Sequence, residues 1–569
     1  MQMSANALAN GVGAFLGAEQ QVEETAVSGE PQAQALMEKG FDVGIQPGGI
    51  WADIIGEFRD RQQWHAEMHA WRLTCSAGLP EAQRHGCQDP RGSTRQTSNS
   101  QDFVMRNVGF GIISALAALT TAALASSHGP VDISKMHRVR YDARRGSLDG
   151  ELAEHGPTYV ELNKRAFNFG TTKVRGVNLG GWLVAEPWIT PSLFSAVDSR
   201  VVDEWTFGQY VRDARRRLQR HWATFITENT FREIAAVGYL NMVRIPIGYW
   251  AVETSRGEPY VRANQLEYLS RAVGWARKYG LRVMIDLHGA PGSQNGFDNS
   301  GLRLEGNIVY WNANSTNAAR TTAVLIALAR RFANDDNVVA IEVLNEPASF
   351  KRTPNPNAPD VLRYYRTFAN DAYYSLRYNS DPDTIPNYDL AVVLSDAFQS
   401  LSYWNGAFQP PGYENVVLDT HRYTMFLPGQ NAWSRNERLQ SICNLRSELS
   451  NSQRNLWTII GEWTTAPNDC AQWLNGRGRG SRYEGEFAGE PRIGSCYSLT
   501  GDASRFSPAY RSLLRAMFDT QTKLYEETTS GWIFWTWITE NAPEWSFREG
   551  VRGGWIPRGS IGPRSSAYC

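Results

Sequence analysis

Two glutamates close apolar runs that ought to be buried: Glu346 in VLNEP and Glu462 in IIGEW. A carboxylate taken out of water without a partner is expensive, so each needs a reason to be there. Either one alone could cap a helix or pair with an arginine. Two meeting at one rim suit glycoside hydrolysis, in which one carboxyl donates its proton to the leaving oxygen while the other, ionised, attacks or stabilises an oxocarbenium-like centre. The charge of one is then expected to raise the pKa of the other, keeping it protonated at about pH 5–6. Other chemically capable residues end neighbouring runs: Arg244, Asp286, His288, Asn345, His421, Tyr423 and Trp535. Only three histidines follow residue 165 and two are in this set, although a lone histidine or tryptophan serves a core as readily as a site.

Positioning these side chains requires a sheet. From Lys173 onward β-branched apolar runs alternate with helix-period segments, the pattern of a parallel sheet covered by helices. Eight strands are predicted, over 173–179, 242–248, 282–289, 338–347, 390–398, 415–423, 458–463 and 531–537. Between the second and third, Leu266, Leu269, Val273 and Ala276 form an apolar stripe at helical spacing before Gly280. Eight such units close into a (β/α)8 TIM barrel, an α/β fold in which every strand points its C-terminal end at one face. Residues spread over almost three hundred positions would converge there. Glu346 and Glu462 would end strands four and seven, on opposed sides. Trp532, on the opposite strand face from Trp535, and Trp537 are assigned to the core.

Composition narrows the partners. Among 569 residues, 57 Lys plus Arg balance 58 Asp plus Glu, which removes the electrostatic case for nucleic acid or an anionic membrane and favours a neutral substrate. Aromatics make up 12%, including 20 Trp, and sugar rings are one flat apolar partner for them. No metal or organic cofactor is implied, and no Cys/His spacing suits zinc. Of six cysteines, Cys443, Cys470, Cys496 and Cys569 fall in the last quarter. They allow three disulfide pairings; Cys443 with Cys569 and Cys470 with Cys496 is the expected one, stapling the chain end and one long loop, though spacing alone does not distinguish the three.

An apolar run from Val108 to Ala125 follows Met105 and Arg106 and ends in a small-residue step, the pattern of a signal peptide over 105–127. Residues 1–104, polar and mixed, are expected to be a gene-model extension upstream of a true start at Met105, or the cytoplasmic tail of a signal anchor. The run is short and poor in strongly apolar residues for a spanning helix, which favours the misplaced start. Residues 128–165 read as a propeptide-like linker ending in Lys164-Arg165, and 166–569 as a single catalytic domain. Asn314-Ser315-Thr316 is a glycosylation sequon, compatible with a secreted, extracellular or cell-wall protein.

The motifs VRGVNLGGWL, RIPIGYW, IDLHGAPGSQNGFDNSG, IEVLNEP, DTHRY, GEWTTA and GWIFWTW, in this order over about 166–569, resemble the fungal exo-β-1,3-glucanases of glycoside hydrolase family 5. The resemblance implies a retaining enzyme that releases glucose from non-reducing ends of β-1,3-glucan polysaccharide or oligosaccharide, acting as a monomer without a protein partner. The glycosyl-enzyme could also pass its glucose to another sugar in wall remodelling. Glu346 matches the family's acid/base and Glu462 its nucleophile. Arg244 and Tyr423 would hold the nucleophile, Asn345 would meet the sugar 2-hydroxyl, and His288 and His421 would bind hydroxyls or the acid/base. Glu186 and Asn299 join the substrate-binding set, Trp535 resembles the platform under the first sugar, and Phe297 and Phe426 the pair that clamps the next. Ala185 and Ile538 depart from the family's leucine and lysine, without touching the carboxyls. Alternatives are a wall protein that has lost turnover, against which both carboxyls and their supports argue; a β-1,6-glucan, cellulose or mannan substrate, against which GAPGSQNGFDNSG and LNGRGRGSRYEG argue; and chemistry on phosphorylated metabolites, for which no Gly-rich phosphate loop follows strands seven and eight.

Overall fold

The computed structural model describes residues 167–378, 390–487, 489–564 and 566–569. The extension, signal-peptide and linker segments expected over 1–165 lie outside these. Eight parallel strands, β1 (Val174–Asn178), β2 (Met242–Gly248), β3 (Arg282–Gly289), β4 (Val338–Glu342), β5 (Ala391–Ser395), β6 (Val416–Arg422), β7 (Trp457–Trp463) and β8 (Gly531–Phe534), close in sequence order into a barrel. Right-handed crossover helices cover such a sheet, and here they include α1 (Glu228–Ala235), α2 (Gln265–Lys278), α3 (Ser315–Arg331), α4 (Val361–Tyr378), α5 (Arg446–Asn455) and α6 (Pro508–Thr528). Leu269, Val273 and Ala276 of the stripe predicted on α2 are buried and Leu266 is partly buried against the same core, and Gly280 closes that helix with a φ of +73°, a conformation glycine adopts without strain. The connection after β5 carries only a 3-10 turn, Leu401–Trp404.

Two cores follow from strand alternation. Outward-facing residues such as Trp532 pack with the helices, and Trp537, three residues beyond β8, joins the same core. Inward-facing Val174, Met242, Met284, Ala340, Val417, Ile459 and Ile533 fill the barrel floor.

Three strands stop three or more residues earlier than predicted, and of these β5 ends at Ser395 rather than 398, where Ala397 and Phe398 take left-handed backbone. β4 ends at Glu342 rather than 347, because Asn345 N–H turns to bond Leu287 O of β3 at 3.0 Å and Glu346 adopts a φ of +48°. β8 ends at Phe534, so Trp535 lies one residue beyond it. Among the described residues no helix is long and apolar enough to cross a membrane. Disulfides join Cys443 to Cys569 and Cys470 to Cys496, the latter within the long loop between β7 and α6.

Candidate active site

Above the apolar floor the barrel interior turns charged. Arg244, fully buried on β2, sends Nε to Glu342 at 2.7 Å, Nη1 to Asn178 at 2.9 Å and to Glu462 at 3.0 Å, and Nη2 to Asn345 at 2.8 Å. Asp286 lies 3.2 Å from the same Nη2. One guanidinium thus serves three carboxylates and two amides, the planar donor fork that lysine lacks. Asn178, Glu342 and Asp419, which sequence reasoning did not select, belong to this layer. Their available signal was a polar residue in the inward register of an otherwise apolar strand.

Glu462, near the end of β7, is held at both oxygens: Arg244 Nη1 on one, and Tyr423 Oη on the other at 2.8 Å. Glu346 Oε1 meets His421 Nδ1 at 2.7 Å, and Oε2 accepts a longer bond from Asn299 at 3.4 Å. A register shift between Thr420 and His421 sets His421 opposite Glu462 across the β6–β7 pair. One carboxylate oxygen of Glu346, one of Glu462 and a ring nitrogen of His421 all lie within 4.8 Å of one another. The left-handed backbone at Glu346 is unusual for a non-glycine residue, and such conformations gather at functional sites.

Electrostatics corrects one expectation. Burial pushes the Glu346 carboxyl up, but the hydrogen bond and charge of His421 outweigh it and hold Glu346 below the usual carboxylate range. Glu462 is raised, with burial exceeding the pull of His421 and Arg244. Burial lowers His421, yet Glu462 and Asp419 on either side drive it well above the ordinary imidazole value. Both directions place the proton of this pair on His421 in the free site, with Glu346 ionised, rather than on Glu346 under the charge of Glu462.

The remaining residues surround this pair. His288 bonds Asp286 through Nδ1 at 2.6 Å and lies nearly parallel to Trp535, with ring centroids 5.6 Å apart. His288 Nε2 and Asn345 Nδ2 are buried without a hydrogen-bond partner among the described residues. Glu186, in the loop after β1, accepts from Gly181 N–H and Trp188 Nε1 and is raised well above the usual range, first by burial and then by Asp298 and Glu462. Asp298, also unselected from sequence, lies half-buried between Phe297 and Asn299 with its Oδ2 out of solvent, and its carboxyl is pushed up to about 7, chiefly by desolvation. Phe426 packs edge-on to Tyr423, and Lys351 Nζ sits 4.5 Å above the Phe297 ring. Asn314, exposed, caps α3 through its side-chain oxygen.

Three loops are tied together beside the site. Arg477, after β7, donates to the carbonyls of Val197, Asp198 and Val201 after β1. Arg303, after β3, donates to Arg477 O at 2.8 Å.

The cellulase family, described as glycosyl hydrolase family 5, matches residues 208–476. The chain is 43% identical over 408 residues to the glucan 1,3-beta-glucosidase of Blumeria graminis, covering 70% of this chain and 90% of that protein. It is 40% identical over 402 residues to the glucan 1,3-beta-glucosidase of Yarrowia lipolytica, covering 69% and 90%. Among solved structures, the rutinosidase of Aspergillus niger superposes with a TM-score of 0.52 at 20% identity over 68% of this chain and 99% of that one, a likeness of fold.

Proposed function

The chain belongs to glycosyl hydrolase family 5, and from that premise we propose that it is a retaining exo-β-1,3-glucanase that removes glucose from non-reducing ends, with Glu346 as acid/base and Glu462 as nucleophile. The observation that carries the mechanism is the approach of the two carboxyls, whose nearest oxygens are within 4.8 Å. Retaining enzymes hold their carboxyl groups about 5–5.5 Å apart, whereas inverting ones leave about 6.5–9.5 Å for a water.

Arg244 and Tyr423 fix both oxygens of Glu462, so its attack on the anomeric carbon needs little reorganisation. As that bond forms, the glycosidic bond breaks and its oxygen takes the proton from Glu346. A bound sugar excludes water, and a drier site favours the neutral Glu346–His421 pair over the charge-separated one, placing the proton on the acid. In the second step water attacks the glycosyl-enzyme, gives a proton to Glu346 and frees Glu462. Asn345 Nδ2 supplies a donor to sugar hydroxyls, His288 Nε2, whose Nδ1–H is given to Asp286, supplies an acceptor, and Trp535 supplies a flat apolar floor.

Glucose-by-glucose action is supported by the ties that Arg477 and Arg303 make between the loops after β1, β3 and β7, which leave the same end of the barrel as the two carboxyls. Every group used comes from one chain, so a monomer suffices. Two disulfides support a secreted or cell-wall protein, since such bonds persist in oxidising compartments.

The test is incubation of the purified protein with a laminari-oligosaccharide labelled at its reducing end. Unlabelled glucose is expected as the first product, released as the β-anomer when followed by NMR. A ladder of intermediate oligomers would mean an open cleft, and α-glucose would mean inversion.

A further inference from the structure

Beneath His421 three polar atoms converge with no hydrogen-bond partner among the described residues: Glu342 Oε1, Asp419 Oδ2 and His421 Nε2, all buried. One ligand atom from each of these side chains lies within 4.8 Å of the others. Each carboxyl has one oxygen fixed, Glu342 Oε2 by Arg244 Nε at 2.7 Å and Asp419 Oδ1 by Gly461 N–H at 2.6 Å. Asp419 Oδ2 faces His421 Nε2 at 3.7 Å, and the opposite ring nitrogen faces Glu346 at 2.7 Å.

Two ionised carboxylates with free oxygens turned toward each other repel in a dry interior, and the nearby guanidinium is already shared with Asp286 and Glu462. One proton on Glu342 Oε1 removes that repulsion. It supplies the donor that Asp419 lacks and leaves Asp419 able to accept from His421 Nε2–H. Burial raises Glu342 well above the usual carboxylate range against the opposing charge of Arg244, with Asp286 and Asp419 adding to the rise. The charged and titratable groups facing His421 are Asp419 on its own strand, Glu342 and Glu346 from β4 and its extension, Asp396 just beyond β5, Glu462 and Tyr423, and Arg244, Asp286 and His288 from β2 and β3.

We propose that Glu342 and Asp419 are positioning residues for the acid/base: protonated Glu342 donates to Asp419, and Asp419 holds the Nε2–H tautomer of His421, so that Nδ1 shares with Glu346 the proton the leaving oxygen will take. This rests on Glu346 being the acid/base. No proton is consumed in the relay over a cycle, because the one lost to the leaving oxygen is replaced by one from the attacking water.

The experiment is the pH profile of kcat/KM on laminarin for the full chain and its Asp419→Asn, Glu342→Leu and Glu342→Gln variants, run beside an aryl glucoside whose leaving group needs no proton. Asp419→Asn and Glu342→Leu are expected to move the basic limb down by about one pH unit. They lower the laminarin rate far more than the aryl glucoside rate. Glu342→Gln keeps an N–H donor toward Asp419 and is expected to restore the limb relative to Glu342→Leu. An unmoved limb in Asp419→Asn, or equal losses on both substrates, overturns the proposal. If Asp419→Asn does not fold, the Glu342 pair decides alone: equal limbs for Leu and Gln overturn it, and a shift in Leu only supports it. Equal losses on both substrates in Glu346→Gln would instead overturn the acid/base assignment itself.

Discussion

Glu462 is gripped at both oxygens, by Arg244 at 3.0 Å and Tyr423 at 2.8 Å, whereas the one short contact of Glu346 is with His421 at 2.7 Å. The first arrangement suits a nucleophile whose geometry must not vary, and the second a group that must gain and lose a proton. Glu346→Gln is therefore expected to slow laminarin hydrolysis by about 10²–10⁴-fold, the usual worth of a general acid, and to slow a dinitrophenyl glucoside much less at the first step. Glu462→Gln removes turnover of both. Steady-state kcat/KM on the two substrates separates the roles, and similar losses in both variants would contradict them. Both glutamates were legible in the sequence because each interrupts a run that burial should have kept apolar. Glu342 and Asp419 carry the same signal but sit deeper in their strands, where a charged side chain reads as noise until the barrel brings it to Arg244.

At the scale of elements, the order of eight strands was legible because β-branched runs recur with helical stretches between most of them. Their ends were not. β4 stops five residues short of its apolar run because backbone bonds to β3 and β5 redirect Val343 and Asn345. The shift between Thr420 and His421 was equally invisible, since it depends on which residue of β7 lies across from His421. Gly461 shows how tightly β6 and β7 are fitted there: a Cβ at this position would come within 1.8 Å of Asp419 Oδ2, a distance no real contact allows. Gly461→Ala must displace either Asp419 or the strand that carries Glu462. Overpacking of this kind costs about 1–3 kcal/mol, and a small shift of Glu462 is expected to reduce laminarin kcat/KM by about tenfold or more. Urea titration together with kinetics checks both, and an alanine variant with the parent's stability and rate would show that Asp419 has room to move.

Across the whole molecule the barrel interior runs from an apolar floor, through the charged layer around Arg244, to the rim where Glu346 and Glu462 face substrate. Holding so many acids out of water links stability to pH. Burial pushes Glu204 and Asp298 up to about 7 and Glu544 up to about 8. Unfolded carboxyls titrate at about 4, so between that value and the folded ones the native state binds more protons than the unfolded chain and stability falls as pH rises. His221 acts the other way. Burial lowers it to about 4, so it adds stability as pH rises toward its unfolded value of about 6.5 and nothing beyond. The two effects oppose each other below about pH 6.5, and above it the acids act without that opposition. Thermal unfolding at constant ionic strength is therefore expected to give a Tm that declines from about pH 6.5 to 8. A Tm flat or rising through that window would mean that these carboxyls are already ionised in the folded protein, with their burial offset by hydrogen bonds such as those Glu204 receives from Ala185 N–H and Trp250 Nε1.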